Sequence, residues 1–169
     1  MKPAIRLGLL LGLPLAAFVA WSPFHPIEHA LWRSINNYLV VATLAGVVLL
    51  GWKVRSLSWR TAGAAIVCYT GIVAALHMTA YLITTGFLAD GMKWIPFFQR
   101  DYQYHGFTSV RAYLLANNNF VELAELNLFA WTAWSLAYAL LGGLAAAVSR
   151  GFAGSRFLPH HEPDRTIGA

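Results

Sequence analysis

The stretch AAIVCYTGIVAALHMTAYLI, residues 64–83, decides the fold of this chain. It holds twenty consecutive residues without Asp, Glu, Lys or Arg. An α-helix needs about this length to cross a hydrocarbon core of roughly 30 Å, so the run predicts a transmembrane helix. One histidine, His77, lies within it. An ionisable side chain at membrane depth is costly and tends to face the bundle interior or a cavity, which makes His77 the first candidate for a functional residue.

The composition of the whole chain agrees with a membrane protein. Of its 169 residues, 58% are hydrophobic and 11% are charged, whereas about a quarter of the residues in a soluble domain are charged. The length favours one domain. The sequence therefore predicts an all-α transmembrane domain over residues 1–150 and a flexible cytoplasmic tail over residues 151–169. The predicted helices lie at about 5–21, 27–52, 61–86 and 120–149, with a structured aromatic outer loop at 87–119.

Basic residues predict the orientation of these helices. Eight lie on one predicted side and four on the other, spread over two longer loops. Because Lys and Arg concentrate on the cytoplasmic side of membrane proteins, both termini are predicted to be cytoplasmic and the outer loop periplasmic. This pattern indicates a multi-pass protein of the bacterial inner membrane and accounts for the net charge of +5, so nucleic acid is not an expected partner. The eight are Lys2, Arg6, Lys53, Arg55, Arg60, Arg150, Arg156 and Arg165, and the four are Arg33, Lys93, Arg100 and Arg111.

The first predicted helix has the basic start and apolar run of a signal peptide. A small-x-small cleavage site is missing. A site ending at Ala20 would have Phe18 where a small residue is needed, and a site ending at Ser22 would be followed by Pro23. An uncleaved anchor is therefore expected. The single cysteine, Cys68, excludes an internal disulfide and a CxxC redox pair.

The outer loop is long for a connection within a compact bundle, and such loops are usually functional or disordered. Its many Phe, Tyr and Trp residues favour an ordered structure. TSVRAYLLANNN, residues 108–119, predicts a short helix with Thr108 or Ser109 as N-cap. Two interpretations remain open: the loop is a lid lying on the bundle and the outer leaflet, or it is a docking surface or the roof of a site. The apolar face of the short helix would consist of Val110, Tyr113 and Leu114.

Small residues predict where helices approach closely. Gly8 and Gly12 form a GxxxG pair in the first helix, and Gly142 and Gly143 lie in the fourth. A leucine at either Gly142 or Gly143 is expected to disrupt the contacts of the fourth helix, because the added side chain forces backbones apart. The nearby aromatic residues Trp131, Trp134 and Tyr138 fall on nearly one stripe and indicate packing or lipid contact rather than a cofactor site.

Polar side chains on three helices are predicted to reach one zone in the outer leaflet. Asn36 and Asn37 lie on the second helix, His77 on the third, and Glu125 and Asn127 on the fourth, and these five form the candidate polar site. For His77 three roles remain open: a hydrogen-bonded packing contact between helices, a ligand, proton or substrate contact, and a contact with a partner subunit.

A second polar cluster lies in FHPIEHALWRSINN, residues 24–37. Two imidazoles and a carboxylate within five residues, His25, Glu28 and His29, could supply part of a zinc or copper site. An interfacial role for His25 and Glu28 is the expectation, and no metal is predicted. Haem b would need two axial histidines at matched depth, and His29 lies too near the surface to pair with His77.

Motifs of known catalytic chemistry are missing from the sequence, including GxSxG, HExxH, P-loop and dinucleotide-binding patterns. No catalytic residue and no cofactor is predicted, and haem b, a quinone or a metal ion are left open. The expected function is a non-catalytic subunit or accessory factor of a larger inner-membrane complex, respiratory, transport or envelope-building, with the lipid bilayer and other membrane subunits as partners. The alternative is a small membrane enzyme, or a metal-, haem- or quinone-binding protein, with an outer-leaflet site around His77.

Overall fold

The computed structural model describes residues 1–25, 27–93, 104–116 and 119–155, and over these residues the chain is helical without a β-strand. Four of its helices, α1, α2, α3 and α5, are long and apolar enough to cross a membrane, which confirms the prediction of an all-helical fold with four helices of this length and composition. Short 3₁₀ turns follow α1 and α3, at Ser22–Phe24 and Ala89–Gly91. The helices are α1 Lys2–Trp21, α2 His29–Lys53, α3 Trp59–Phe87, α4 Val110–Leu115 and α5 Asn119–Ser155.

Several helix boundaries differ from those that hydropathy predicts. Helix α1 begins at Lys2 rather than near residue 5, and α2 begins at His29 rather than near residue 27. Helix α3 begins at Trp59 rather than near residue 61, because the Ser58 side chain caps it by accepting a hydrogen bond from the Thr61 backbone N–H at 3.2 Å.

Helix α5 continues to Ser155, so residues 151–155 are helical although the sequence assigned them to the tail. The apolar run ends near residue 149, but a helix continues until a cap or a breaker stops it, and no proline lies between Asn119 and Leu158. The rest of the predicted tail lies outside the described residues.

The spanning helices pack in the ring order α1, α3, α5, α2. Helices α1 and α3 run parallel, since Gly8 faces Ile72 and Gly12, one turn later, faces Leu76. A Cβ on Gly8 would lie 3.2 Å from the Cβ of Ile72, and one on Gly12 would lie 3.0 Å from Cδ1 of Leu76. The GxxxG pair therefore packs α1 against α3 of the same chain.

A buried hydrogen-bond network links α2, α3 and α5 in the middle of the bundle. The Tyr69 hydroxyl donates to the carbonyl oxygen of Thr43 at 2.7 Å. The Thr43 hydroxyl lies 2.6 Å from that of Tyr138 and donates to the Val40 carbonyl oxygen, so Tyr138 is the donor to Thr43. Tyr69, Tyr138 and Thr43 are at most 1% exposed. Tyr138 is thus a packing residue, as one of the two sequence interpretations had it, and does not contact lipid.

The described part of the outer loop packs on one end of the bundle. Helix α4 begins where the sequence places it, with the Ser109 side chain accepting a hydrogen bond from the Ala112 backbone N–H at 3.1 Å. The Arg111 guanidinium forms an ion pair with Asp90. Residues 94–103 of the loop lie outside the described residues. A second hydrophobic cluster forms here from Ala89, Met92, Val110, Tyr113, Leu114 and Leu123, with Phe24, Tyr81, Phe107 and Phe120 packed against it.

At the opposite end, Arg150 of α5 holds the turn between α2 and α3. Its guanidinium donates to the carbonyl oxygens of Arg55, at 2.7 Å, and Leu57, at 2.6 Å, and lies 3.7 Å from the ring centroid of Trp59. Carbonyl groups after a helix C-terminus have no partner within the helix, and Arg150 supplies one here. The helix directions gather Lys2, Lys53, Arg60 and Arg150 at this end.

Candidate functional site

The best-defined polar cluster surrounds His77, on the inner face of α3. The imidazole is 8% exposed and lies against the indole of Trp131 on α5, with the ring centroids 4.2 Å apart and the planes at 37°. Asn127, one turn before Trp131, approaches both His77 and Tyr81 with its side chain. Because α3 and α5 run antiparallel, a spacing of four residues on each helix brings these four side chains together.

Two polar atoms of this cluster are buried without a hydrogen-bond partner among the described residues: Nδ1 of His77 and the hydroxyl of Tyr81. Asn127 lies close to the Tyr81 hydroxyl but does not reach hydrogen-bond geometry with it. The next hydroxyls along α3 differ, since Thr84 and Thr85 donate to backbone carbonyl oxygens one turn earlier. An unpaired buried polar group costs about 1–3 kcal/mol, so the cluster would be stabilised by a further neutral hydrogen-bonding group.

The groups in this cluster are an imidazole, a phenol, an indole and an amide. Each can form hydrogen bonds with an uncharged group, and an imidazole can also carry a proton or bind a metal. Within the described ranges there is no group of three His, Cys, Asp or Glu side chains placed to hold a metal ion. The arrangement therefore favours hydrogen bonding of a neutral group over metal ligation.

The five residues of the predicted polar site divide into two groups. His77 and Asn127 lie together. Asn37 and Glu125 are exposed, and Asn36 is half-buried, without a hydrogen bond to His77 among the described residues. Glu125 precedes Asn127 by two residues, which turns a side chain about 200° around a helix and points it outward.

Of the three metal candidates near the start of α2, the structure describes the side chains of His25 and Glu28. His25 donates from Nδ1 to the Trp21 carbonyl oxygen at 3.1 Å and stacks on the Trp21 ring, with centroids 4.3 Å apart. This contact ties His25 to the end of α1. Glu28 is exposed and precedes α2 as its N-cap residue. The side chain of His29 lies outside the described residues.

Trp131 is a functional candidate whose contact with His77 the sequence did not predict. The sequence placed it on an aromatic packing stripe and gave it no polar neighbour. Spacing alone carries a signal, because Tyr81 follows His77 by four residues and Trp131 follows Asn127 by four. Combined with the antiparallel packing of the third and fourth spanning helices, these two pairs predict one cluster.

Substitutions at position 77 separate a packing role from a ligand-binding role. We expect His77→Gln, whose amide keeps a polar group facing Asn127, to unfold with a free energy close to that of the unchanged protein. His77→Leu removes every polar group at this position and should lose about 1–2 kcal/mol, the scale of hydrogen bonds between membrane helices. Equilibrium unfolding in mixed detergent micelles measures both, with Thr79→Leu, an exposed position on α3, as control. A His77→Gln protein of normal stability that lost a bound ligand or a co-purifying subunit would contradict the packing role.

No family model, no curated protein and no solved structure matches this chain.

Proposed function

We propose that this chain is a non-catalytic integral membrane subunit or accessory factor of a larger inner-membrane complex. The observation that carries the proposal is the outward face of α5. Only 17% of the apolar 18-residue segment of this helix is buried within the chain, whereas 28–33% of the corresponding segments of the other three long helices is buried. Such a face contacts either lipid or another protein. Its exposed or half-buried residues include Ala133, Leu136, Ala137, Leu140, Leu144 and Ala147.

The composition of this face favours a protein neighbour. Helices associate in a bilayer mainly by close packing, which small residues permit, because lipid tails are as apolar as leucine. Ala133, Ala137 and Ala147 recur at spacings of four and ten, so they share the face with the leucines. A second helix could approach the α5 backbone at these alanines and pack between the leucine side chains.

Co-purification tests this assignment. The chain is isolated under native conditions, and stoichiometric partners are identified by mass spectrometry. We expect a partner subunit that is lost in Ala133→Trp and Ala147→Trp proteins and kept in a Gly63→Trp protein, whose change lies at an exposed glycine of α3. A chain that purifies alone from its native membrane, or a partner retained in both alanine variants, would contradict the proposal.

The proposed orientation has both termini in the cytoplasm and the loop after α3 in the periplasm. It is supported by the basic residues at the end of the bundle where α1 begins and α5 ends, namely Lys2, Lys53, Arg60 and Arg150. We expect a green fluorescent protein fused after residue 169 to fluoresce and alkaline phosphatase at the same place to be inactive. Active phosphatase there would reverse the orientation.

A second candidate function is favoured by the unpartnered Nδ1 of His77 and hydroxyl of Tyr81. These atoms suit a neutral hydrogen-bonding ligand such as a quinone better than a metal ion or haem, so the second candidate is a small membrane enzyme or a binding protein with its site near His77. Optical spectra and a metal scan of the natively purified protein distinguish the two functions. A stoichiometric partner without chromophore or metal supports the subunit role, and a lone chain with a bound chromophore or metal supports the second.

A further inference from the structure

A groove of about 310 Å³ lies between α3 and α5 on the outside of the bundle. It occupies a different face of α5 from the alanine and leucine residues proposed to meet a partner. None of its lining residues is charged. The lining consists of Ala74, Ala75 and Met78 on α3, and Leu128, Trp131, Thr132 and Ser135 on α5.

Two polar groups of the lining have no hydrogen bond among the described residues: the indole N–H of Trp131 and the hydroxyl of Ser135. They lie four residues apart and so share one side of α5. Thr132 differs, because its hydroxyl donates to the Leu128 carbonyl oxygen of its own helix at 2.8 Å. The lining residues of the groove therefore include two hydrogen-bond donors without a partner among the described residues, Trp131 and Ser135.

The indole of Trp131 is packed against a second ring. The His77 imidazole lies with its ring centroid 4.2 Å from that of Trp131, and Trp131 as a whole is only 8% exposed. A largely buried ring in contact with a neighbouring ring has little freedom to turn, so Trp131 is a well-fixed part of the groove wall.

The depth of the groove restricts what can fill it. Ser135 lies 13 residues after the exposed Glu122 and 15 before Arg150, which at 1.5 Å per residue is about 20 Å and about 22 Å from these charged groups. This is the middle of the span. The polar parts of a phospholipid lie at the edge of a hydrocarbon core about 30 Å thick, so they stay about 15 Å from the groove. A matching ligand must carry its hydrogen-bond acceptor into the core itself.

We propose that the groove binds the head of a lipid-soluble quinone, with Trp131 and Ser135 donating hydrogen bonds to its carbonyl oxygens. A quinone ring is uncharged, accepts hydrogen bonds and has an apolar tail that can continue along the bilayer. A volume of 310 Å³ lies at the small end of ligand sites and suits a ring with the start of its tail. The proposal rests on the second candidate function above, for which it names the ligand, and it does not depend on the subunit role.

Quinone titration of the full chain in phospholipid nanodiscs tests the proposal. Decylubiquinone is added while tryptophan fluorescence is recorded, because a bound quinone quenches a neighbouring indole. The groove is blocked in Ala75→Leu, at an exposed position of the lining. The control is Gly71→Leu, which adds the same side chain one turn earlier on α3, where nothing lies within 4 Å. Circular dichroism and thermal melting establish that both proteins fold.

We expect saturable quenching at about one quinone per chain, which Trp131→Phe largely removes. Ser135→Ala should weaken binding about fivefold, the effect of losing one ordinary hydrogen bond. Ala75→Leu should abolish saturation, and Gly71→Leu should not change it. Quenching that rises linearly with quinone, or saturates equally in the Ala75→Leu protein, would overturn the proposal. So would native mass spectra that show a retained phospholipid instead of quinone, or a partner subunit lost in Ala75→Leu while quinone binding persists.

Discussion

A Gly142→Leu protein is expected to lose stability at the upper end of about 1–3 kcal/mol, the usual cost of overfilling a packed core. A Cβ on Gly142 would lie 2.9 Å from Cγ2 of Val47 and 3.0 Å from Cγ2 of Ile66. Both neighbours are β-branched, with little freedom to move aside. The leucine would therefore force α5 away from α2 and α3 together.

Gly51 on α2 tests the same contact with a smaller change. A Cβ there would run into the carbonyl oxygen of Gly142, and backbone cannot move aside as a side chain can. We therefore expect Gly51→Ala to destabilise the protein, although alanine alone would favour a helix over glycine by up to about 1 kcal/mol.

Gly143 provides the matched control. The sequence predicts disruption at both Gly142 and Gly143, but within the chain the two differ, because nothing lies within 4 Å of a Cβ on Gly143. Gly143→Ala should be neutral or stabilising, and Gly143→Leu should cost far less than Gly142→Leu. Unfolding in mixed micelles measures all four proteins. Similar losses at both positions would show that α5 is rotated relative to the structure described.

The four spanning helices could be predicted because their signal is local. Each is a run of apolar residues of sufficient length, and neither property depends on what packs against the run. The N-cap at Ser109 could be predicted for the same reason, because its hydrogen bond reaches only to Ala112, three residues later. The continuation of α5 to Ser155 could not be found in this way, since hydropathy marks the membrane boundary and not the end of a helix.

The sequence was insufficient to predict how each helix is rotated about its own axis, and therefore which residues face the bundle interior. Adjacent residues of a helix point 100° apart. Gly142 and Gly143 therefore lie at nearly the same depth in the membrane but face different directions in the bundle. The same holds for Glu125 and Asn127, which are two residues apart. Which of each pair faces inward follows from contacts with other helices. The Thr43–Tyr138 hydrogen bond spans 95 residues of chain, and no local pattern indicates it. His77 could be predicted because one ionisable residue in a long apolar run must face inward whatever its partners are.

Tyr138→Ala is expected to lose about 3 kcal/mol or more, because a fully buried aromatic ring leaves a cavity that the surrounding helices cannot fill. The ring is 1% exposed and packs in the main hydrophobic core, beside Tyr69, Ile66 and Val47. In a bilayer the loss is one of packing contacts, since the lipid offers no hydrophobic driving force between helices. Tyr38→Ala, at a ring that is 76% exposed on α2, should stay within about 0.5 kcal/mol of the unchanged protein.

The contribution of the Thr43–Tyr138 hydrogen bond to stability can be measured separately from that of ring packing. Tyr138→Phe keeps the ring and removes only the donor to Thr43, whose hydroxyl still donates to the Val40 carbonyl oxygen. A loss of about 1 kcal/mol is expected. Thr43→Val should cost more, because it leaves the Tyr138 hydroxyl buried without an acceptor. The double variant Thr43→Val, Tyr138→Phe should then recover part of that loss, since both polar partners are gone and the shapes are kept. Purely additive losses would contradict the hydrogen bond, and a Tyr138→Ala protein as stable as Tyr138→Phe would contradict the packing.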